Sequence, residues 1–421
     1  MTSPAASPLL LERYTTTVEF SEPAAIREAL LAKDLSRSFD KRTYEQGNVR
    51  DGVVSIVHGA THRARRRIEN TEFRPDRLRL YERELFPMVL ERILDRETAS
   101  GRADLFPLGA LISVVLAARR AGLDIDPDDR SVLQTLVHDV EVFSQASAIL
   151  DAKDPDAVRR LARETLADFE RDFVRPAWET RRQAIEAAGD QAGSGAELPH
   201  DILTVLLLHR TDGSLELEDD GRVVREVATY LQGGTHTSAQ TIINTLDLAF
   251  PLEQEQPGVL TRIVADRAYA QRCVHETLRL RPTTPKIKRR AEAETVVAGR
   301  AIPRDALVIL DVATANRDPA LYGDRPDAFD PDRAIAPDAA RWGLSFGGGP
   351  HQCPGRSVAG GFPATTAGDP GDDHLYGLIA LMLQAVVRRG VRPDPDRPPA
   401  RDTRTERYTR WSSYPVVFGT P

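Results

Sequence analysis

Cysteine is nearly absent from this chain: its 421 residues include only Cys273 and Cys353. Two thiols are too few for a disulfide framework or a cysteine-rich zinc site. Long apolar runs are missing as well, and no stretch approaches the roughly 18 to 20 apolar residues that a bilayer span requires. The opening MTSPAASPLLLERYTTTVEF has no basic start followed by a long apolar run. No signal peptide is therefore expected, and the chain reads as a soluble, cytoplasmic protein without a membrane partner. Basic charge is not in excess: 56 Lys and Arg face 63 Asp and Glu, for a net charge of −7. That balance argues against a nucleic-acid partner, which needs a clustered cationic surface. No internal repeat is present. What remains, 41% hydrophobic and 28% charged residues, is the composition of a globular protein with a large core.

Most of the chain has helical periodicity. PAAIREALLA (23–32) reads as a short amphipathic helix after the strand-like TTTVEF, and THRARRRIENTEF (61–73) as a basic helix. The charged segment 154–189 predicts a long helix kinked at Pro176, and 190–200 a loop. DGRVVREVATYLQGGTHTSAQTIINTLDLAF, residues 220–250, predicts one helix of roughly eight turns. Gly233 and Gly234 lie at its middle, each costing about 1 kcal/mol of helix propensity relative to alanine. A local distortion where something docks is the expectation there. RAYAQRCVHETLRLRP (267–282) is a helix stopped by Pro282. Residues 295–314 are rich in β-branched residues and predict short strands around a turn. Residues 315–338 are irregular, and 407–418 read as a closing hairpin. The fold class is mainly α with a minor β region.

The chemistry concentrates in LSFGGGPHQCPGRSVA, residues 344–359. Glycines strip side-chain bulk and permit left-handed backbone, so a flat or large group can approach the main chain. A lone thiolate is a soft ligand suited to a metal already held by other donors. Pro354 fits the first turn of a helix whose N-terminus favours the anion. Upstream, Glu276 and Arg279 lie three apart on one helix face in ETLR. His62 and Arg66 share a basic helix in HRARR, and His58 with His62 also has the i, i+4 spacing of a metal pair. The dense arginines beside them would repel a dication.

Phe346, Gly347, Gly349, His351, Cys353 and Gly355 spell F-G-x-G-x-H-x-C-x-G, which resembles the haem-ligand loop of the cytochrome P-450 superfamily. The likeness runs from about Thr17 to Phe418. It implies a cytochrome P-450 fold, with residues 1–421 as a single large haem-binding domain. Cys353 would be the proximal thiolate of haem b, Phe346 would pack beside it, and His351 would reach a propionate. Glu276 and Arg279 match the family's E-x-x-R pair. Arg333 of FDPDR stands where its third, arginine member belongs, giving a structural network. His62, Arg66 and Arg289 match propionate-binding positions, Arg289 rather than Arg290 by the R-x-A spacing. ANRDP (315–319) also reads like the family's bacterial members. GGTHTS (233–238) is similar to the oxygen-activation motif. Gly233 and Gly234 would form the groove for dioxygen and Thr237 would supply the catalytic alcohol. His236 stands where an acid is usual. Three readings of His236 stay open: a proton relay, a chemistry that does not need the acid, or a substrate contact.

The resemblance implies a monooxygenase using dioxygen and NAD(P)H-derived electrons, delivered by a ferredoxin reductase and a ferredoxin. Arg63, Arg65 and Arg67 form either a docking surface for an acidic ferredoxin or a solvated face. The expected substrate is a small specialised metabolite, including peptide-derived or carrier-protein-bound ones. Two alternatives stand beside this. One is a peroxide-driven or atypical haem-thiolate oxidase that forms rings or cross-links. The other is a non-catalytic haem sensor or carrier. Cys273 reads as a small core residue, and Ser357 in GRSVA lacks the last glycine of a nucleophile elbow. Three departures from the family are visible. The N-terminal segment lacks the usual bacterial D-P-Y-P-type opening, residues 360–373 interrupt the helix after Cys353, and His236 replaces an acid.

Overall fold

A computed structural model describes residues 14, 16–37, 48–149, 152, 154–189, 198–211, 219–364, 371, 373–403 and 410–419. The helices that matter for the site are α1 (Pro23–Leu31), α2 (Gly59–Glu69), α3 (Leu105–Ala121), α4 (Arg130–Ser147), α5 (Asp220–Glu255), α6 (Arg267–Leu280), α7 (Arg356–Gly360) and α8 (Leu378–Arg388). The main sheet contains β1 (Thr17–Phe20), β2 (Leu35–Ser36), β3 (Lys286–Ala291) and β4 (Leu307–Asp311), in the order β1-β4-β3-β2. The mainly α fold with a minor β region is as read from the sequence.

The chain divides into two compact units, each assembled from separate segments. The first contains residues 1–36, 78–112 and 237–421 and carries every strand among the described residues. Here β1 runs parallel to β4, pairing Thr17 with Leu307, while β3 is antiparallel to both β4 and β2. The apolar side of α1 closes one face: Ile26, Ala29 and Leu30 join Val18, Phe20, Val308 and Leu310 in one core. The second unit, residues 37–77 and 113–236, is helical in its described residues. Arg181 anchors it internally, reaching Asp201 from Nη2 at 3.0 Å and also pairing with Asp124.

Two helices explain themselves by burial. In α3, Ile112, Val114, Val115, Leu116, Ala118 and Ala121 are all almost fully buried, the pattern of a helix enclosed on every side. In α5, Val223, Val227, Leu231, Ile242, Leu246 and Ala249 recur at helical spacing and are buried. This helix runs 36 residues without a break, past Pro251. The distortion expected at Gly233 and Gly234 is therefore absent. Close packing is the reason at Gly234, where an added Cβ would lie 3.1 Å from Ala117 Cβ.

Other local expectations meet mixed outcomes. Segment 154–189 is interrupted as anticipated, but by a π-turn at Glu170–Val174 just before Pro176. Strands Thr295–Val297 and Arg300–Ile302 form the expected hairpin around Ala298 and Gly299, both at positive φ. The closing hairpin is a correction. Trp411–Ser413 pairs with Ala400–Arg401, whereas Pro415–Phe418 pairs with Arg102–Asp104 and Val391–Pro393. Asp104 accepts from Tyr414 N–H at 2.9 Å, helping to direct the two strands into different sheets. Of the expected 190–200 loop, 190–197 lie outside the described residues; so do 407–409, and 365–370 with 372 in the interruption.

Candidate functional site

In the first unit, residues 344–355 form a tight loop. Cys353 N–H donates to the Phe346 carbonyl at 2.9 Å, and Gly347 N–H to that of Leu344 at 2.8 Å. Gly347 and Gly349 have φ of 65° and 62°, a region L side chains avoid. A Cβ on Gly349 would also run into the Leu30 carbonyl at the end of α1. At Gly355 a Cβ would make only an ordinary contact, 3.8 Å from Cys353 Sγ. Cys353 is exposed, whereas Cys273 is buried in the core and its thiol is pushed well up by desolvation. His351 is half-buried, on the single turn Gly349–His351.

The helix next to the loop corrects one expectation. α7 starts at Arg356 with Gly355 as its cap and lasts only five residues, so Pro354 precedes the helix instead of opening it. Residues on either side of the interruption are stitched together. Gln271 Nε2 donates to the carbonyls of Gly360, Leu375 and Tyr376 at 3.0 to 3.1 Å. Glu82 accepts from Tyr376 and Gly377 N–H at 2.7 and 3.0 Å. The apolar helix then resumes as α8, starting at Leu378.

Behind the loop lies a buried ion network. Glu276 takes Arg279 Nε at 2.8 Å and Nη2 at 2.7 Å, and Arg333 Nε at 3.0 Å. Arg279 Nη1 also donates to the carbonyls of Asn316 and Pro326 at 2.8 and 2.7 Å. Arg333 donates to those of Tyr322, Arg325 and Ala328 at 2.6, 2.9 and 2.7 Å. Asn316, unassigned from sequence, ties this network to the loop. Its Nδ2 donates to the Arg279 carbonyl and to Ser345 Oγ, both at 3.0 Å, and its Oδ1 accepts from Leu344 N–H at 2.7 Å. Trp342 packs edge-on against Phe346 and His275, with centroids 5.6 and 5.0 Å apart. ANRDP and the tryptophan before the glycines were the available sequence signals.

Arg289 sits in β3, buried, with Nη1 donating to the Lys288 carbonyl at 2.9 Å. Its neighbour Arg290 is half-buried and pairs with Asp305 and Glu292.

The second unit holds the remaining candidates except Thr237, which opens the 237–421 segment of the first. His62 is buried on α2, and its pKa falls to about 4, through burial first and then the charges of Arg66, His58, Arg37 and Arg63. It is therefore a neutral donor in a cationic patch. Among the described residues no cluster of metal-binding side chains involves His58 or any other residue. Arg65 corrects the docking-surface expectation. It is buried, donates to the Gly52 carbonyl and pairs with buried Glu226, whose Oε2 also accepts from Val54 N–H at 2.9 Å. Glu69 joins them and accepts from Tyr230 Oη at 2.6 Å. Burial, followed by the Glu226 charge, pushes Glu69 up to about 8. Arg63 and Arg67 are exposed.

On α5, Gly233 and Thr237, one turn apart, are exposed, while Leu231, Thr235, His236, Ser238, Ala239 and Gln240 are buried. A Cβ on Gly233 would meet nothing within 4 Å. The helix thus presents a narrow bare strip ending at an alcohol. His236 points away from solvent, with Nδ1 3.4 Å from Glu141 Oε2 of α4.

A sequence model of the family described as Cytochrome P450 matches residues 252–360. Erythromycin C-12 hydroxylase of Saccharopolyspora erythraea is 28% identical over 76% of this chain and 72% of its own length. The crystal structure of CalO2 superposes with a TM-score of 0.70 at 19% identity, covering 97% of this chain and 94% of that one. P450BioI, solved with an acyl carrier protein ligated to hexadec-9Z-enoic acid, gives 0.69 at 16% identity, over 97% and 96%. Family model, curated relatives and fold neighbours all point to the cytochrome P450 superfamily.

That likeness supports a monooxygenase-type oxidoreductase, and the family implies haem and dioxygen. The residues present fit that group. The thiol of the first unit is exposed on a glycine-rich loop, and the donor set offers one soft ligand and no rival cluster among the described residues. No described helix is long and apolar enough to cross a membrane.

Proposed function

We propose that this P450 hydroxylates, or similarly oxidises at C–H, a small specialised metabolite, using dioxygen and two electrons passed from NAD(P)H through a ferredoxin reductase and a ferredoxin. The observation carrying this reading is the exposed Cys353 thiol on a glycine loop locked to the buried Glu276–Arg279–Arg333 network through Asn316. Haem bound there supplies oxygen activation, which thiolate donation favours. The protein's part is to position, to shield and to move protons. Cys353 gives the ligand sulfur, Phe346 covers it, and Gly347, Gly349 and Gly355 let the loop approach. His62, Arg66, Arg289 and His351 hold the propionates. Gly233 and Gly234 leave room for dioxygen, and Thr237 moves a proton at Oγ1, with His236 supplying it.

The substrate class rests on two likenesses: a relative named for erythromycin hydroxylation and a neighbour solved with a carrier-bound acyl chain. The test is turnover of a panel of macrolides and carrier-tethered acyl or peptidyl substrates, with labelled dioxygen. Label in the product, dependent on ferredoxin, supports the reading. Turnover with peroxide alone at a matching rate would replace it with the peroxide-driven alternative. Normal haem uptake with no turnover by either route would favour the sensor.

A further inference from the structure

Between Glu226 and Asp247, α5 carries no charged residue; its one imidazole there is His236. That imidazole is buried, yet it adjoins the exposed Thr237. Facing it is a carboxylate from another helix: Glu141 Oε2 lies 3.4 Å from His236 Nδ1. The register between α4 and α5 is set by a second polar contact about one turn away, from Gln232 Nε2 to Ser144 Oγ at 3.3 Å. Gln145 Nε2 donates to the other Glu141 oxygen at 3.2 Å, which orients the carboxylate. Accessibility is graded along the pair. The Glu141 side chain is 19% exposed and that of His236 8%, so protons from solvent meet the carboxylate first.

We propose that Glu141 is a positioning residue acting through His236, supplying from α4 the acidic group that α5 lacks. This rests on the monooxygenase reading above. Glu141 holds the proton on Nδ1 and stabilises the doubly protonated ring. Nε2 is then the atom that releases a proton toward the Thr237 end of the helix. A proton from water, taken up on the Glu141 side, restores the pair, so one proton enters for each that leaves and no electron moves.

Other titratable groups lie on the same and neighbouring helices. His138 is exposed one turn before Glu141 on α4. Arg119 and Arg120 lie just beyond Ala117 on α3; Arg120 donates to the Glu72 carbonyl at 3.3 Å and covers the Phe73 ring at 4.6 Å. Tyr230 on α5 is engaged with Glu69.

The test is E141Q, with E141D as the conservative variant. The His236 ring would be titrated by NMR in the reduced, carbon monoxide-bound holoenzyme and assigned by comparison with H236Q. Expected is a His236 midpoint about one unit lower in E141Q, largely restored in E141D, with haem content and optical spectrum unchanged. Peroxide released per NAD(P)H consumed should rise severalfold in E141Q, most at alkaline pH. An unchanged midpoint, or unchanged coupling in a parent enzyme that turns over, would overturn the role of Glu141. A parent with no oxygen-dependent turnover would instead overturn the monooxygenase reading and this role with it, and the midpoint comparison separates the two failures.

Discussion

Replacing Arg333 by alanine tests the scaffold behind the ligand loop most severely. The guanidinium is 6% exposed and makes one ion pair, to Glu276, and three hydrogen bonds to the carbonyls of Tyr322, Arg325 and Ala328. Truncating one partner of a buried ion network costs about 3–5 kcal/mol. Each buried carbonyl left without a donor adds about 1–3 kcal/mol unless water reaches it. Offsetting this, Glu276 keeps Arg279 and accepts from Asp330 N–H at 3.2 Å, so no bare carboxylate is stranded. A net loss of about 4 kcal/mol is expected, a large part of the roughly 5–15 kcal/mol that folded proteins possess. Lysine at 333 should recover only part of it, because an ammonium cannot span the carboxylate and three carbonyls as a planar fork does. Urea unfolding followed by tryptophan fluorescence, with haem content measured in parallel, reads both consequences. R333A unfolding within about 1 kcal/mol of the parent, with full haem content, would refute the scaffold argument.

Three further outcomes are expected. Glu69 has a pKa raised to about 8, so the stability it contributes is complete below the ordinary value of 4.5 and is lost as pH rises toward 8. E69Q should flatten that decline, and melting curves from pH 5 to 9 that run parallel to the parent's would contradict it. G349A combines a strained φ with a clash against the Leu30 carbonyl; it should cost about 1–3 kcal/mol and speed haem loss to an apomyoglobin acceptor, and an unchanged loss rate would count against the loop argument. His62 is neutral above about pH 4, so H62A should weaken haem retention by a similar factor at pH 5.5 and pH 8. A pH-dependent factor would show that the imidazole binds as a cation.

Legibility tracked the range of the interactions. The tight glycine loop and the joining of Glu276 with Arg279 and Arg333 were readable because fixed spacing leaves few other uses for those residues. Long helices were readable from periodicity. Arg65 was misjudged because, within its own helix, it looks like Arg63 and Arg67; only Glu226, far along the chain, makes it a buried cation. The helix through Gly233 and Gly234 stays intact for the same kind of reason. Propensity counts the glycine penalty, while the close approach of Ala117 to Gly234 comes from another helix. Asn316 and Gln271 act through carbonyls distant in sequence, and no local pattern announces such contacts. The two C-terminal strands have hairpin-like composition, and it is their pairing with Ala400–Arg401 and Arg102–Asp104 that separates them.

The measurement that bears most directly on the central claim is the optical spectrum of the purified holoenzyme, ferric and then reduced under carbon monoxide, beside C353S. A thiolate from Cys353 requires a strongly red-shifted Soret band in the reduced, carbon monoxide-bound parent and its disappearance in C353S. An unshifted band, a shift that survives C353S, or failure to take up haem would contradict the assignment of Cys353 as the iron ligand.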